Sequence, residues 1–585
     1  MPDTTPSPLH DRRAFLGYFS SIGLGGTLLP GVLWARVAEG VEVTKATIAA
    51  AEEIVGLQFT DAQRELMVEE LKGTQKQIAA LHKMTIDNAV TPAVGFNPLL
   101  ADMPRPTAQP AKKPAMVREK VALMAVPSDL EELAFAPVSQ LSELVRTRKV
   151  TSMALTRMYL NRIEKHDPVL QSVVSVTEQR ALRHARAADE EMARGRYRGP
   201  LHGIPWGAKD LLATKGYRTT WGAGPYKEQV IDADATVVRR LDEAGAVLVA
   251  KLTLGELAMG DVWYGGKTKN PWKVSQGSSG SSAGPGSATA AGLVGFAIGS
   301  ETLGSISSPA TRNGVTGLRP TYGRVPKTGA MALSWSMDKL GPMCRAVEDC
   351  AFVLDAIHGP DGQDPSAIDA AFQWNARMPL SSIRVGYVKA AFDAPEKDPN
   401  NPERTLHFTK KWDDLALEAL RKAGVTPMPV ELPEFDFDPM RMILIAEGAA
   451  AFDEMTRSGK DAQLVQQGRN DWANTFRTAR FIPAVEYINA NRARTLLMQK
   501  WAQLMKTVDV IVVPTGGTSQ LLATNLTGHP AVILPSGFRD DGTPVSLTFV
   551  GGLFGEDKLL RVAHAWQQAT DWHLKRPTDF TTAKS

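Results

Sequence analysis

The sequence predicts an α/β protein, and three observations lead there. Helical patterns alternate with short apolar runs: residues 234–244 read as a helix stopped by Gly245, residues 246–250 as the buried strand that follows, and 383–388, 412–423 and 509–513 repeat strand, helix, strand. Apolar residues make up 43% of the 585-residue chain and charged residues 22%, ordinary values for a soluble globular protein with one large core. The third observation is a stretch at 276–319 holding nine serines and ten glycines around an apolar run at 293–298. A flexible linker would lack that run, which reads as a short buried strand.

Taken in order, the chain opens with Arg12 and Arg13 followed by Phe15, Leu16 and a glycine-diluted apolar run. Segment 1–38 resembles a twin-arginine export signal, so the expected address is periplasmic, or cytoplasmic if the signal is misread. The glycines and Pro30 weaken the alternative of a membrane anchor, and no stable membrane insertion is expected once the signal is removed. Segment 41–89 is helical by pattern. Thr60 and Gln63 spell a capping box, and Met67, Leu71, Thr74, Ile78 and Leu81 recur four and three apart. Segment 90–136 is a proline-rich linker. The catalytic domain is expected over 137–577, beginning with two helical stretches at 141–166. Within it, Met440, Met442 and Phe452 read as core rather than as the lining of a substrate channel.

Charge and metal-ligand patterns exclude several classes of function. A net charge of +3 calls for neither nucleic acid nor an acidic membrane. Cys344 and Cys350 sit in a helix-like run, match no metal or redox spacing, and are expected to be buried and inert. The ten histidines form no HExxH motif, so no metal is expected.

The serine- and glycine-rich stretch carries the chemistry. Glycine lets backbone approach a ligand closely, and serine hydroxyls can donate, accept or attack. Its two turns, Gly280-Ser281-Ser282-Ala283-Gly284 and Leu303-Gly304-Ser305-Ile306, together with Gly203-Ile204-Pro205-Trp206-Gly207-Ala208-Lys209-Asp210 upstream, resemble the amidase signature family. That family includes the A subunits of tRNA-dependent amidotransferases. The resemblance implies a large mixed sheet covered by helices on both faces. It also implies Ser305 as nucleophile, Ser281 as a bridging serine after a cis peptide bond, and Lys209 as base.

The physics of such a trio is consistent. Serine needs a base within hydrogen-bond reach, and lysine serves only when neutral, which burial among Ile204, Pro205, Trp206 and Leu211 favours. Ser281 can accept from Ser305 while donating to Lys209. The N–H groups of Thr302, Leu303, Gly304 and Ser305 would form the oxyanion hole. Two departures stand out where the family often has Asp-Thr-Gly-Gly-Ser-Ile-Arg: Leu303 adds bulk to the turn, and Ser307 replaces an arginine that could meet a substrate carboxylate.

Gly280 to Gly284 also fits the G-x-S-x-G nucleophile elbow, with Ser282 as nucleophile and His564 or His573 completing a triad. Residues 267–279 lack the buried strand an elbow needs, and both histidines read as exposed residues of a C-terminal helix. The function that the resemblance implies is hydrolysis of small-molecule, non-peptide amides through an acyl-Ser305 intermediate. Hydrolysis by serine calls for no cofactor. The alternatives are a non-catalytic binding protein and the glutamine-hydrolysing A subunit of a tRNA-dependent amidotransferase.

Overall fold

The structure, a computed structural model, describes residues 42–55, 57–84, 95–111, 114–122, 124–405, 407–515 and 520–581. The twin-arginine-like segment 1–38 lies outside them. The described residues divide into two compact units, one taking those before 95 together with those of 438–495, the other those of 95–437 and those from 496 onward.

The first unit is helical. Helix α1 (Lys45–Val55) and helix α2 (Asp61–Lys83) are joined through Thr60, whose hydroxyl accepts from Gln63 N at 3.3 Å while Gln63 Oε1 accepts from Thr60 N at 2.8 Å. This is the capping box read from the sequence. Met67, Leu71, Ile78 and Leu81 turn inward as their spacing requires, and Met67 and Leu71 join Val43, Ile48, Phe59 and Phe481 in one apolar cluster. Met440, Met442 and Phe452 are buried as core. Phe452 stacks on Phe476, which in turn stacks on Trp472 at 5.0 Å.

The second unit is built on an eleven-stranded sheet. Its strands are β1 (Val173–Val176), β2 (Pro205–Lys209), β3 (Val247–Leu252), β4 (Phe296–Glu301), β5 (Thr316–Arg319), β6 (Lys339–Cys344), β7 (Val385–Val388), β8 (Met428–Val430), β9 (Val510–Pro514), β10 (Ala531–Phe538) and β11 (Pro544–Gly551). They lie in the order β1-β3-β2-β4-β6-β5-β10-β11-β9-β7-β8. Parallel pairs β3/β2/β4 and β9/β7/β8 flank an antiparallel centre, so the sheet is mixed, with helices on both faces. The central strands β2, β3, β4 and β6 are buried at every residue, as continuous apolar runs predict for strands covered on both sides.

Element boundaries follow the sequence closely, with four readings corrected. The predicted strand at 293–298 begins only at Phe296, because residues 283–290 form helix α3 (Ala283–Ala290) and its end turns through Gly292 at φ +65°. Cys344 ends strand β6 rather than lying in a helix; Cys350 is helical, and both thiols are free and buried. His564 is not exposed: it is 3% accessible on helix α4 (Glu556–Gln568) and packs edge-on to Trp374 at 5.6 Å. His573 lies beyond that helix, in a short 3-10 turn, and is half-buried.

Candidate active site

Parallel pairing of β2 with β4 sets Ala208 against Ile298, so both strands end on the same edge of the sheet. Lys209 closes β2, and Ser300 and Glu301 close β4, which places the lysine amine and the serine-rich turn together. Lys209 is fully buried. Its Nζ lies within hydrogen-bond distance of Ser281 Oγ at 2.8 Å, Ser300 Oγ at 2.9 Å and Ser282 Oγ at 3.1 Å. Burial pushes its pKa well below the ordinary lysine value, and the carboxylates of Asp338 and Glu301 oppose the shift only in part. Neighbouring hydroxyls such as Ser281 Oγ, which can donate as well as accept, suit a neutral amine.

Asp210 does not serve this lysine. Side chains alternate across a strand, and Asp210 instead meets the buried Lys251 amine at 2.7 Å and accepts from Thr220 N at 2.8 Å.

The peptide bond Gly280-Ser281 is cis. A Cβ on Gly280 would lie 1.8 Å from Gly260 O, so only glycine fits where the two backbones meet. The following Ser282 is held on three sides: its N–H donates to Ser305 O at 3.1 Å, its hydroxyl donates to Ser300 O at 3.1 Å, and it accepts from Ser300 N at 3.1 Å. These bonds engage the hydroxyl that an elbow would need as nucleophile. The strand preceding it, Lys273–Gly277, pairs only with Lys269–Asn270 in a partly exposed hairpin outside the main sheet.

Ser305 is 8% accessible and sits in the turn between β4 and helix α5 (Ser307–Asn313). No hydrogen bond joins its hydroxyl to Ser281 among the described residues, although Ser282 ties the two turns together through backbone. Among the described residues, the N–H groups of Leu303, Gly304 and Ser305 have no acceptor within the protein. Gly304 at φ +86° is the conformation that opens this row of donors. Thr302, the first of the four, also directs its hydroxyl to Asp338 Oδ1 at 2.5 Å.

Glu301 holds the turn from behind. Its buried carboxylate accepts from Ile306 N at 2.9 Å, Ser307 N at 2.8 Å, Ser307 Oγ at 2.8 Å, Arg319 at 2.8 Å and Asn525 Nδ2 at 2.8 Å. Its pKa lies far below the usual carboxylate range: burial alone would raise it, and the Arg319 and Lys339 charges with these bonds outweigh burial. Ser307 therefore gives its hydroxyl to Glu301 and offers no donor to a substrate. Arg319 is fully buried in the same network, whereas Arg312 is exposed and reaches Gln276. Ser300, Glu301 and Asp338 are site residues that the sequence motifs do not single out. The first two immediately precede the turn at 302–305, a position that could have marked them; Asp338 arrives from a distant loop and carries no such signal.

A cavity of about 310 Å³ adjoins Ser300 and Thr302, walled by Leu211, Met331, Leu333, Trp335 and Leu340. No group of His, Cys, Asp and Glu among the described residues is arranged to hold a metal.

Known proteins share this architecture. The chain is 34% identical over 486 residues to the A subunit of the glutamyl-tRNA(Gln) amidotransferase of Methylococcus capsulatus, covering 75% of this chain and 98% of that one. Among solved structures, the peptide amidase of Stenotrophomonas maltophilia superposes with a TM-score of 0.64 at 30% identity, over 77% of this chain and 100% of its own. An amidase family protein from Bacillus anthracis str. Ames gives 0.66 at 25% identity, over 76% of this chain and 93% of its own. The Amidase family itself matches residues 154–523, a span from the first helices of the second unit to the edge of Asn525, and with more than half its length so matched the chain belongs to the amidase family.

Proposed function

We propose that this amidase-family hydrolase cleaves the carbon–nitrogen bond of small, non-peptide amides through an acyl-serine intermediate, with Ser305, Ser281 and Lys209 as its catalytic residues. Ser305 Oγ attacks the amide carbonyl carbon and passes its proton to Ser281 Oγ, as Ser281 passes its own to the neutral Lys209 Nζ. The N–H groups of Leu303, Gly304 and Ser305, with Thr302 at the head of the turn, receive the oxyanion; one such donor is typically worth about 10² to 10³ in rate. The tetrahedral intermediate then collapses. The relay runs backward, the leaving nitrogen takes the proton, and ester-linked acyl-Ser305 remains. Water, deprotonated by the same relay, releases the acid. No cofactor enters this scheme.

The observation that carries the reading is the buried Lys209 amine, its pKa lowered, 2.8 Å from Ser281 Oγ. The test is direct. Ser305→Ala is expected to abolish amide turnover and covalent labelling by a fluorophosphonate, and Lys209→Ala to fold yet turn over at least about 10²-fold more slowly, the lower end of what a positioned base contributes. Full activity in a folded Lys209→Ala protein would sink the relay.

A second reading, glutamine hydrolysis within an amidotransferase, draws on the 34% identity to the A subunit of such an enzyme. Against it stands the engagement of Ser307 and Arg319 with Glu301, which leaves neither side chain for a substrate carboxylate. A kcat/KM for glutamine above that for an uncharged amide of similar size would favour this second reading. We further propose export through the twin-arginine-like segment, with neither nucleic acid nor a membrane as a partner.

A further inference from the structure

The cavity beside the catalytic turn ends at a tryptophan that no other part of the site uses. Trp335 lines the cavity yet is 52% exposed, and among the described residues its indole makes neither a ring contact nor a hydrogen bond. Its backbone, by contrast, is fastened. Tyr322 Oη donates to Trp335 O at 2.6 Å, and the N–H groups of Leu333 and Ser334 donate to Asp338 Oδ2 at 2.8 and 3.0 Å. The other oxygen of Asp338 takes the Thr302 hydroxyl. One partly buried carboxylate thus couples the segment carrying Trp335 to the turn carrying Ser305. An aromatic ring kept in water on an anchored backbone forgoes the large burial such rings ordinarily gain, and it presents an unused face to whatever enters.

The remaining lining narrows the ligand. Leu211, Met331, Leu333 and Leu340 supply apolar walls. The charged groups are occupied: Lys327 Nζ donates to Ser366 Oγ at 2.5 Å and lies 3.4 Å from Asp364, and Asp338 is engaged as described. A charged ligand would be desolvated there without a partner. At about 310 Å³ the cavity stands at the lower end of the roughly 300 to 1,000 Å³ typical of ligand pockets, room for one ring and a short chain.

We propose that Trp335 is a specificity-determining residue and that the preferred substrates are small, neutral amides carrying one aromatic ring, which packs on the indole. The inference rests on the amide-hydrolase reading of Ser305. It is tested by the ratio of kcat/KM for phenylacetamide to that for propionamide, in wild type, Trp335→Ala and Trp335→Phe. The ratio is expected to fall about three- to tenfold in Trp335→Ala, mainly through KM, as loss of an aromatic pair predicts, and to be largely restored in Trp335→Phe. An unchanged ratio, or a wild-type preference for a long-chain fatty amide over phenylacetamide, would overturn it. Calorimetric binding of phenylacetamide to Ser305→Ala, with and without Trp335→Ala, separates the two readings. If wild type neither turns over an amide nor labels at Ser305, the hydrolase reading falls and this comparison decides alone: weaker binding without Trp335 supports the ring platform, and equal or absent binding overturns it.

Discussion

In the proposed relay, a lysine that acts only when neutral sets the pH response of the site. Burial lowers the Lys209 pKa, and the Asp338 and Glu301 charges raise it, Asp338 more strongly. Below its lowered pKa the amine is protonated and cannot accept from Ser281; kcat/KM is therefore expected to rise with pH through that value and level off above it. Asp338→Asn removes the larger opposing charge, so the rising limb should move to lower pH. A merely structural role for Asp338 would lower activity without moving the limb, and a pH–rate profile of the two proteins distinguishes them. The candidates Lys209, Ser281 and Ser305 can be picked out from the sequence because each sits in a short contiguous motif. Ser300 and Asp338 cannot, because strand pairing and a distant loop bring them to the amine.

At the scale of elements, one buried carboxylate starts a helix. Asp349, on the helix Val347–Ile357, accepts from Val138 N at 2.9 Å and Ser139 N at 3.0 Å, the first donors of the helix Val138–Arg146, which has no side-chain cap of its own. Burial pushes the Asp349 pKa up to about 7, against those two bonds and the Arg345 charge. A group raised in the folded state contributes stability that is complete below its unfolded value and is lost as pH rises through about 7. Asp349→Asn, which cannot ionise, should therefore show a smaller drop in urea midpoint between pH 5 and pH 8 than wild type. Identical drops would mean that the carboxyl is already charged at pH 5. The sequence reads 141–166 as two helical stretches and the run around Cys350 as helix-like. The cap was not legible, because its donor and acceptor lie 211 residues apart.

For the whole molecule, the paired arginines make a prediction about location. Replacing Arg12 and Arg13 together by lysine is expected to hold the full-length chain in the cytoplasm with its catalysis intact, and fractionation with an activity assay reads both. Wild-type protein found wholly cytoplasmic with residues 1–35 still attached would overturn the export proposal. The α/β alternation, the capping box at Thr60 and the lysine and serine motifs were all determined by the sequence itself, because periodicity, turn chemistry and motif spacing are properties of neighbouring residues. Only the tertiary structure decided that β2 lies beside β4 and so delivers Lys209 to Ser300, that Ser307 is spent on Glu301, that His564 is buried, and that residues 438–495 group with the N-terminal helices. Each of these depends on pairings between segments far apart in the chain, and a local pattern specifies that a face must be buried without specifying what will bury it.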